Sequence, residues 1–335
     1  MVAVGCIMIL LCFMLFSCTE DIPNPLTEED VRKRLKSVTI KPDGNGDIND
    51  NGNGNGTTLP DSGKIVFIAQ DDNGSWIYLI NPDGTEKQLL TDDFMLAMSA
   101  YSPSWSPDGK VVFFSFVSNA FEVLNLDGTK HSQLSPDMGE QVMSYDYHIS
   151  WSINGTIAFS ITDANFFSSD IYTVDSNGAN MTRITASPEF SFSFYPSWSP
   201  YGTELAFAFE DANGWSYIYT VDAGGMNIIQ LTFDGEDMDP AWSPDGTKIA
   251  FTSDRDFDYE IYSMNSDGSN HVNLTNNPER DDMTPTWSPD GRWIAFASED
   301  YDLGSDIYVM DSNGSNQTNI TNSPGVDDIM PAWSP

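Results

Sequence analysis

The stretch WSPDGTKIAFTSDRDFDYEIYSMNSDGSNHVNLT, Trp242–Thr275, contains one nearly complete structural unit of this 335-residue chain. Its Pro-Asp-Gly and Ser-Asp-Gly segments supply the residues that tight turns require. The run KIAFTS alternates with the two-residue period of a strand, and Asp-Gly between two apolar runs is typical of a β-hairpin. Together with the Pro-x-Trp-Ser segment at its start, the stretch predicts four short antiparallel strands joined by turns.

The same unit recurs along the chain. Trp-Ser pairs, spaced 44–47 residues apart, begin at Trp105, Trp151, Trp198, Trp242, Trp287 and Trp333. Four short antiparallel strands in each period of this length are typical of a propeller blade and not of a helical solenoid. The sequence therefore predicts an all-β propeller with its tryptophans packed between blades.

The two ends of the repeat region complement each other. The segment from Gly63 has the second, third and fourth strands of a unit without a Trp-Ser strand before them, whereas the last segment, IMPAWSP, has a first strand alone. Joined, they make one blade. We therefore predict a six-bladed β-propeller of four-stranded antiparallel blades over residues 63–335, monomeric, with the ring closed by the C-terminal strand joining the N-terminal blade. A sequence truncated within a repeat is the alternative.

The composition is strongly acidic. Fifty Asp and Glu residues stand against 14 Lys and Arg residues, which gives a formal net charge of −36. The electric field of this negative charge repels nucleic acid and anionic membrane surfaces, and it favours cationic partners or divalent metal ions. We expect no nucleic-acid partner, and contact with a membrane only through a lipid anchor.

Residues 1–17 resemble the signal peptide of a bacterial lipoprotein. They carry no charged side chain and end in Leu15-Phe16-Ser17 before Cys18, as in the lipobox, where the signal is cut before a cysteine that receives lipid. Residues 18–62, with their Gly, Asn and Asp repeats, predict a flexible tether. An uncleaved N-terminal anchor is the alternative. Both place the propeller in the bacterial cell envelope, on the periplasmic or the surface-exposed side of the outer membrane in the case of the lipoprotein.

A family resemblance rests on the repeats themselves. WSPDGTKIAFTS and EIYSMNSDGSN, followed by Leu-Thr, resemble the WD40-like (PD40) repeats of the TolB family over about residues 63 to 335. The resemblance implies a six-bladed propeller. It does not define a function, because one propeller fold serves many tasks.

Strand direction divides the loops between two faces of the predicted propeller. The first-to-second and third-to-fourth connections are tight turns and share one side, which we call the tight-turn face. The second-to-third and fourth-to-first connections are longer and more varied, and they share the other side, the long-loop face. Since binding residues concentrate on variable loops, we expect the functional site on the long-loop face.

One sector of the long-loop face is predicted to be acidic. Acidic pairs precede three successive Trp-Ser strands: Glu236, Asp237, Asp281, Asp282, Asp327 and Asp328. Carboxylates in flexible loops suit calcium, which is the one cofactor that we consider. The alternative is structural, because Asp commonly caps backbone amides in loops.

The neighbouring sector is predicted to be aromatic. Before Trp151 and Trp198 lie Tyr145, Tyr147, His148, Phe192, Phe194 and Tyr195. These side chains suit a stacking platform for sugars or peptide side chains, and packing between blades is the alternative.

These features favour a non-catalytic module that binds an envelope protein or a glycan. The chain has only three histidines, its cysteines all lie within the first eighteen residues, and no Ser-His-Asp set is suggested by spacing. A metal cluster of histidines and a cysteine nucleophile are therefore not expected in the propeller. The alternative function is a glycan-active hydrolase or lyase that uses carboxylates on the long-loop face.

Overall fold

The computed structural model describes residues 63–71, 74–91, 100–115, 118, 120–134, 142–143, 148–163, 165 and 167–335. These residues belong to one compact unit, a β-propeller built from strands and turns. The predicted signal peptide (1–17), the predicted tether (18–62) with its lipidation site Cys18, and the site residues Tyr145 and Tyr147 lie outside the described residues.

The strands follow the repeats in chain order. The first twelve are β1 (Ile65–Asp71), β2 (Gly74–Ile80), β3 (Gln88–Leu89), β4 (Ala100–Trp105), β5 (Val111–Ser115), β6 (Ala120–Leu124), β7 (Lys130–Leu134), β8 (Val142–Met143), β9 (Ile149–Trp151), β10 (Thr156–Asp163), β11 (Ser168–Asp175) and β12 (Thr182–Arg183). The remainder are β13 (Ser191–Trp198), β14 (Glu204–Glu210), β15 (Ser216–Asp222), β16 (Ile229–Gln230), β17 (Asp237–Trp242), β18 (Lys248–Ser253), β19 (Glu260–Asn265), β20 (Val272–Asn273), β21 (Asp281–Trp287), β22 (Trp293–Asp300), β23 (Gly304–Asp311), β24 (Thr318–Asn319) and β25 (Asp327–Trp333).

Hydrogen bonding groups the strands into five sheets. Four are four-stranded, in the orders β25-β1-β2-β3, β4-β5-β6-β7, β17-β18-β19-β20 and β21-β22-β23-β24. The fifth has nine strands, because β11 and β13 pair in parallel at Ser168–Ser191 and Ser169–Phe192. The prediction of six separate four-stranded blades is therefore not confirmed: four such sheets are present, and the two remaining repeats share hydrogen bonds.

The last strand lies in the same sheet as the first. In the antiparallel pair of β25 and β1, Trp333 is opposite Ile65 and Asp328 is opposite Ala69. Ser334 extends this contact, since its backbone N–H donates to the Lys64 carbonyl at 2.8 Å. The predicted pairing of the C-terminal strand with the N-terminal segment is thus present.

The strands that carry the Trp-Ser pairs, which we call the Trp strands, are β4, β9, β13, β17, β21 and β25. They contact one another in that order, and β25 also contacts β4. The buried hydrophobic clusters lie between successive repeats: Phe207 packs with Ile171 of the repeat before it, and Phe296 packs with Ile261. Burial between repeats is what holds the sheets together.

The second strand of each repeat is more buried than its alternating pattern predicts. All five residues of β5 are buried, as are Ile249 to Ser253 of β18. A strand in which apolar and polar residues alternate is expected to expose one face to solvent. Here both faces are covered, because each sheet packs against a neighbour on either side. Even the polar residue Ser115 is fully buried.

Candidate functional site

The acidic pairs lie where the Trp strands begin, at the long-loop face. The second carboxylate of each pair is buried, with 0% of Asp237, 1% of Asp282 and 0% of Asp328 exposed. The first carboxylate is less covered: Glu236 and Asp281 are half-buried, and Asp327 is exposed. The two members of a pair therefore have different roles.

Two of the first carboxylates cap the preceding repeat. The Oδ1 atom of Asp281 accepts a hydrogen bond of 3.2 Å from the backbone N–H of Tyr259, and Oδ1 of Asp327 accepts one of 3.1 Å from Ser305. Both donors lie at the start of a third strand. This is the structural role that the sequence left open beside calcium binding, and it fixes one repeat to the next.

Two of the second carboxylates are paired with a cation. The guanidinium of Arg255 donates to both carboxylate oxygens of Asp237, at 3.0 and 3.2 Å. Lys87 Nζ lies 3.4 Å from Oδ2 of Asp328. Burial raises the pKa of both carboxyls, while the cation acts in the opposite direction. Charge pairing offsets the cost of burying these carboxylates.

The cations are held over aromatic rings in the same way. Arg255 lies 4.7 Å from the ring centre of Tyr262, and Lys87 lies 5.0 Å from that of Tyr78. The two tyrosines occupy equivalent positions in their repeats. In these two repeats a cation thus fills the space between the buried carboxylate and a pair of aromatic rings.

Asp282 differs from its two counterparts. Neither of its oxygens has a hydrogen-bond partner of ordinary geometry among the described residues, although it is almost fully buried. Burial raises its pKa to about 6, with a smaller contribution from the charge of Glu260, against the opposing effects of Ser298, Thr275 and Arg280. An ionised carboxylate at this position is destabilising.

The calcium hypothesis stays a prediction. Within the described part of the chain, no group of three or more acidic, histidine or cysteine side chains is placed so that it could hold a metal ion.

A second feature lies where the Trp strands meet. Residues from all six Trp-Ser repeats line one cavity of about 160 Å³, which we call the axial cavity. Its first ring of side chains consists of Ser102, His148, Tyr195, Asp239, Thr284 and Met330. The cavity is smaller than a typical ligand pocket, so it accommodates one small chemical group.

The six residues of this first ring, which we call the axial ring, have an unusual backbone conformation. Five of its six residues have a φ between +47° and +54°, and each of the five precedes a proline. For Thr284 this conformation is a genuine outlier, because β-branched residues disfavour it. Each of these five residues lies in or beside a register shift between its Trp strand and the strand paired with it. The bulge accounts for the repeated conformation.

His148, Tyr195 and Asp239 come together in the axial cavity. The rings of His148 and Tyr195 meet edge to face, with their centres 4.2 Å apart. His148 Nε2 is 3.9 Å from Oδ1 of Asp239, whose Oδ2 accepts a 3.1 Å hydrogen bond from the hydroxyl of Thr252. The cavity therefore offers a carboxylate, an imidazole and a phenol ring.

The predicted aromatic platform is largely packed into the fold. Phe192, Phe194 and Tyr195 are half-buried, and the rings of Phe194 and Tyr195 lie perpendicular at 4.8 Å. Of the residues predicted for the aromatic sector, His148 and Tyr195 lie together in the axial cavity. Asp239, which lies beside them, was not predicted, and its signal in the sequence is its place three residues before Trp242.

The exposed aromatic surface lies elsewhere on the long-loop face. Four successive second-to-third loops each present one large ring, and two fourth-to-first loops present another. We call this set the aromatic arc: Phe167 (47% exposed), Phe190 (54%), Trp215 (53%), Phe233 (70%), Phe257 (97%) and Tyr301 (67%). These rings are not among the site residues predicted from the sequence.

Carboxylates fix the loops of the arc. Asp211 accepts hydrogen bonds from the backbone N–H groups of Asn213 at 2.8 Å and Trp215 at 3.2 Å. Asp163 does the same for Asn165 at 2.7 Å and Phe167 at 3.3 Å. The signal in the sequence is an Asp four residues before the aromatic residue. These turns present the rings in a fixed geometry.

Comparison with known proteins agrees with the propeller. Residues 189–282 match the family model described as the TolB beta propeller domain, PD40. No curated protein sequence matches the chain.

A membrane-spanning helix is not found in the part of the chain that the structure describes.

Several solved structures share the fold. TolB from Acinetobacter baumannii is 22% identical, with a TM-score of 0.65, over 83% of this chain and 69% of the other. A putative TolB from Agrobacterium tumefaciens is 22% identical, with a TM-score of 0.61, over 82% and 99%. An oligogalacturonate lyase from Vibrio parahaemolyticus is 14% identical, with a TM-score of 0.53, over 77% and 74%. At these identities the likeness concerns the fold alone.

Proposed function

We propose that this chain is a non-catalytic binding module of the bacterial cell envelope, which binds a protein or a glycan through its long-loop face. The observation that carries the proposal is the aromatic arc. Large apolar side chains that stay exposed in a fixed geometry on one face are typical of an interaction site. Tyr and Trp are also the residues that contribute most to binding energy in interfaces.

The proposal includes a closed ring of six blades. Three observations support it: the Trp strands contact one another in order and return from β25 to β4, β25 pairs with β1, and the nine-stranded sheet contains two complete repeats. Only two residue pairs join those repeats, and we therefore regard the nine-stranded sheet as two blades that touch at one edge. A closed ring of blades leaves only short, protected sheet edges.

Location in the envelope is supported by the sequence. The lipobox-like segment before Cys18 fits a lipoprotein, and the fold likeness to TolB structures agrees with an envelope protein. We propose that the propeller is held at the outer membrane through lipid on Cys18.

The geometry favours binding over glycan cleavage. Asp237, Asp282 and Asp328, three carboxylates of the predicted acidic sector, are buried. Among the described residues that line the axial cavity, Asp239 alone has a carboxylate. Most glycosidases use two carboxyl groups that flank the bond that breaks.

Capture from envelope extract tests the proposal. The bait is the full chain, compared with a variant that combines Trp215→Ser and Phe257→Ser, and with a control that combines Tyr201→Ser and Met226→Ser. The control residues are similarly exposed, 66% and 67%, but lie on the tight-turn face. We expect at least one protein or glycan to be retained by the wild type and the control and lost from the arc variant. Equal retention by all three baits contradicts the proposal.

A further inference from the structure

Four of the six rings of the aromatic arc have a carboxylate residue as their immediate neighbour in the chain. Phe190 follows Glu189, Phe233 precedes Asp234, Tyr301 precedes Asp302, and Phe257 lies between Asp256 and Asp258. A ring beside a carboxylate has two means of attracting a cation, the negative face of the ring and the ionic charge.

The charge of these loops is one-sided. The fourth-to-first and second-to-third loops from residue 184 to residue 303 carry nine carboxylates: Glu189, Asp211, Asp234, Glu236, Asp254, Asp256, Asp258, Glu279 and Asp302. They carry two cations, Arg255 and Arg280, and both are already paired, with Asp237 at 3.0 Å and with Asp300 at 3.1 Å. The negative charge of this surface is therefore largely uncompensated within the described chain.

Neighbouring carboxylates on this face also repel one another, which raises the pKa of two of them. Burial first, and then the charge of Asp254, raises the pKa of Glu236. Burial, followed by the charges of Asp281 and Asp327, raises the pKa of Glu299. Each of these interactions joins residues of two different strands or loops at the long-loop face. A cation bound among them relieves the repulsion.

The rings are held ready for contact. Phe257 is 97% exposed at a φ of +84°, a conformation that a bulky residue adopts only when its surroundings impose it. Its backbone N–H donates to the Asp254 carbonyl at 2.7 Å, which closes the loop. In a neighbouring loop Leu303 donates to the Asp300 carbonyl at 3.0 Å. A preformed surface loses less entropy when it binds.

We propose that the aromatic arc binds a basic polypeptide segment, in which arginine or lysine side chains lie against the rings and pair with the adjacent carboxylates. The inference rests on the proposed function and specifies its partner. A neutral glycan stacks on the rings as well, but it leaves the carboxylates desolvated without a counter-charge, which is costly. An anionic glycan is repelled.

The test uses a fluorescent peptide in which arginine alternates with serine. Its counterparts carry citrulline or glutamate in place of arginine, and a neutral oligosaccharide panel is measured in parallel. Binding is followed by fluorescence anisotropy for the wild-type chain, the arc variant Trp215→Ser/Phe257→Ser and the control Tyr201→Ser/Met226→Ser. The control is essential, because a protein of net charge −36 attracts any polycation non-specifically.

We expect the arginine peptide to bind the wild type and the control equally, and to lose about tenfold in affinity for the arc variant, since each exposed cation–π contact contributes a few-fold. The citrulline and glutamate peptides should bind weakly throughout. Equal affinity of the arc variant and the control for the arginine peptide, or equal binding of the citrulline peptide, overturns the inference. If a neutral oligosaccharide or a non-basic envelope protein instead requires the arc, the proposed function stands and the basic partner is wrong.

Discussion

The indole Nε1 of Trp105 donates a hydrogen bond of 3.0 Å to the backbone carbonyl of Ala332, which lies 227 residues further along the chain. The bond joins the Trp strand β4 to the Trp strand β25. Trp287 makes the same contact two junctions earlier, with the carbonyl of Ala241 at 3.1 Å. Trp105 and Trp287 thus combine packing between repeats with a specific polar contact across the junction.

Replacing these tryptophans by phenylalanine separates the two contributions. Trp105, Trp198 and Trp287 are each 8% exposed, but Nε1 of Trp198 has no hydrogen-bond partner among the described residues. All three substitutions remove similar volume, and only two remove a hydrogen bond. We expect Trp105→Phe and Trp287→Phe to lower the free energy of unfolding by about 1–3 kcal/mol more than Trp198→Phe does. Equal losses in urea denaturation at all three sites would show that the indole N–H contributes nothing.

Glycine in the third-to-fourth turns serves contact between repeats as well as turn geometry. Gly225 lies in such a turn, between β15 and β16, and Gly325 lies in the fourth-to-first loop between β24 and β25. The two have nearly the same φ, +77° and +78°. A Cβ on Gly225 would lie 2.8 Å from the carbonyl oxygen of Ile184 in the preceding repeat, whereas a Cβ on Gly325 meets no atom within 4 Å. Alanine at either position would have a strained left-handed backbone, and only at Gly225 would its Cβ also clash with a neighbouring atom.

We therefore expect Gly325→Ala to cost about 1–2 kcal/mol of stability from the left-handed backbone alone. Gly225→Ala should cost about 3 kcal/mol or more, because overpacking adds to the strain. Thermal and urea unfolding of the two variants measure the difference. Similar losses for both variants would mean that the turn moves away from Ile184 without cost.

The repeat made the propeller predictable because each of its turns is encoded locally. Asp267-Gly268 requires no distant contact to specify a hairpin, and the segments at Ile65 and Trp333 could be matched by the strands that each lacks. The parallel pairing of Ser168 with Ser191 was not predictable, since it depends on how closely two neighbouring sheets approach. A local pattern contains no information on that distance.

The site was harder to predict for the same reason. Asp237 and Asp281 read alike in the sequence, but one is buried against Arg255 and the other caps a strand of the preceding repeat. Their roles are set by partners 18 and 22 residues away in the chain. Phe257 was overlooked because a lone aromatic residue in an acidic loop gives no sign of its exposure. Only the placement of successive loops on one face reveals the arc.

Lipid attachment has a direct chemical test, with a control that the chain itself supplies. The lipoprotein hypothesis predicts that labelled fatty acid is incorporated into the wild-type chain and that Cys18→Ser abolishes the label, because the signal is cut immediately before the modified cysteine. Cys12→Ser alters another cysteine of the same segment and should leave labelling intact. Label retained by Cys18→Ser defeats the hypothesis, whereas label lost from both variants indicates that the segment no longer directs export.

Asp282 predicts how stability depends on pH. Its folded-state pKa of about 6 lies above the ordinary value of 3.8, so the folded protein binds the proton more tightly than the unfolded chain does. Protonation therefore stabilises the fold. This stabilisation is present below about pH 4 and is lost as the pH rises to 6 and above.

The variant Asp282→Asn keeps the shape of the side chain and removes the charge. We expect its stability relative to the wild type to increase between pH 4 and pH 7 by roughly 3 kcal/mol, the equivalent of a shift of about two pKa units. Asp267→Asn is the control, because the Ser269 hydroxyl lowers the pKa of this exposed carboxyl and its effect on stability has the opposite sign. Urea denaturation across the pH range measures both differences. If the difference in stability between Asp282→Asn and the wild type does not change with pH, the prediction is wrong. Asp282 would then be paired with a cation in solution, as Asp237 and Asp328 are.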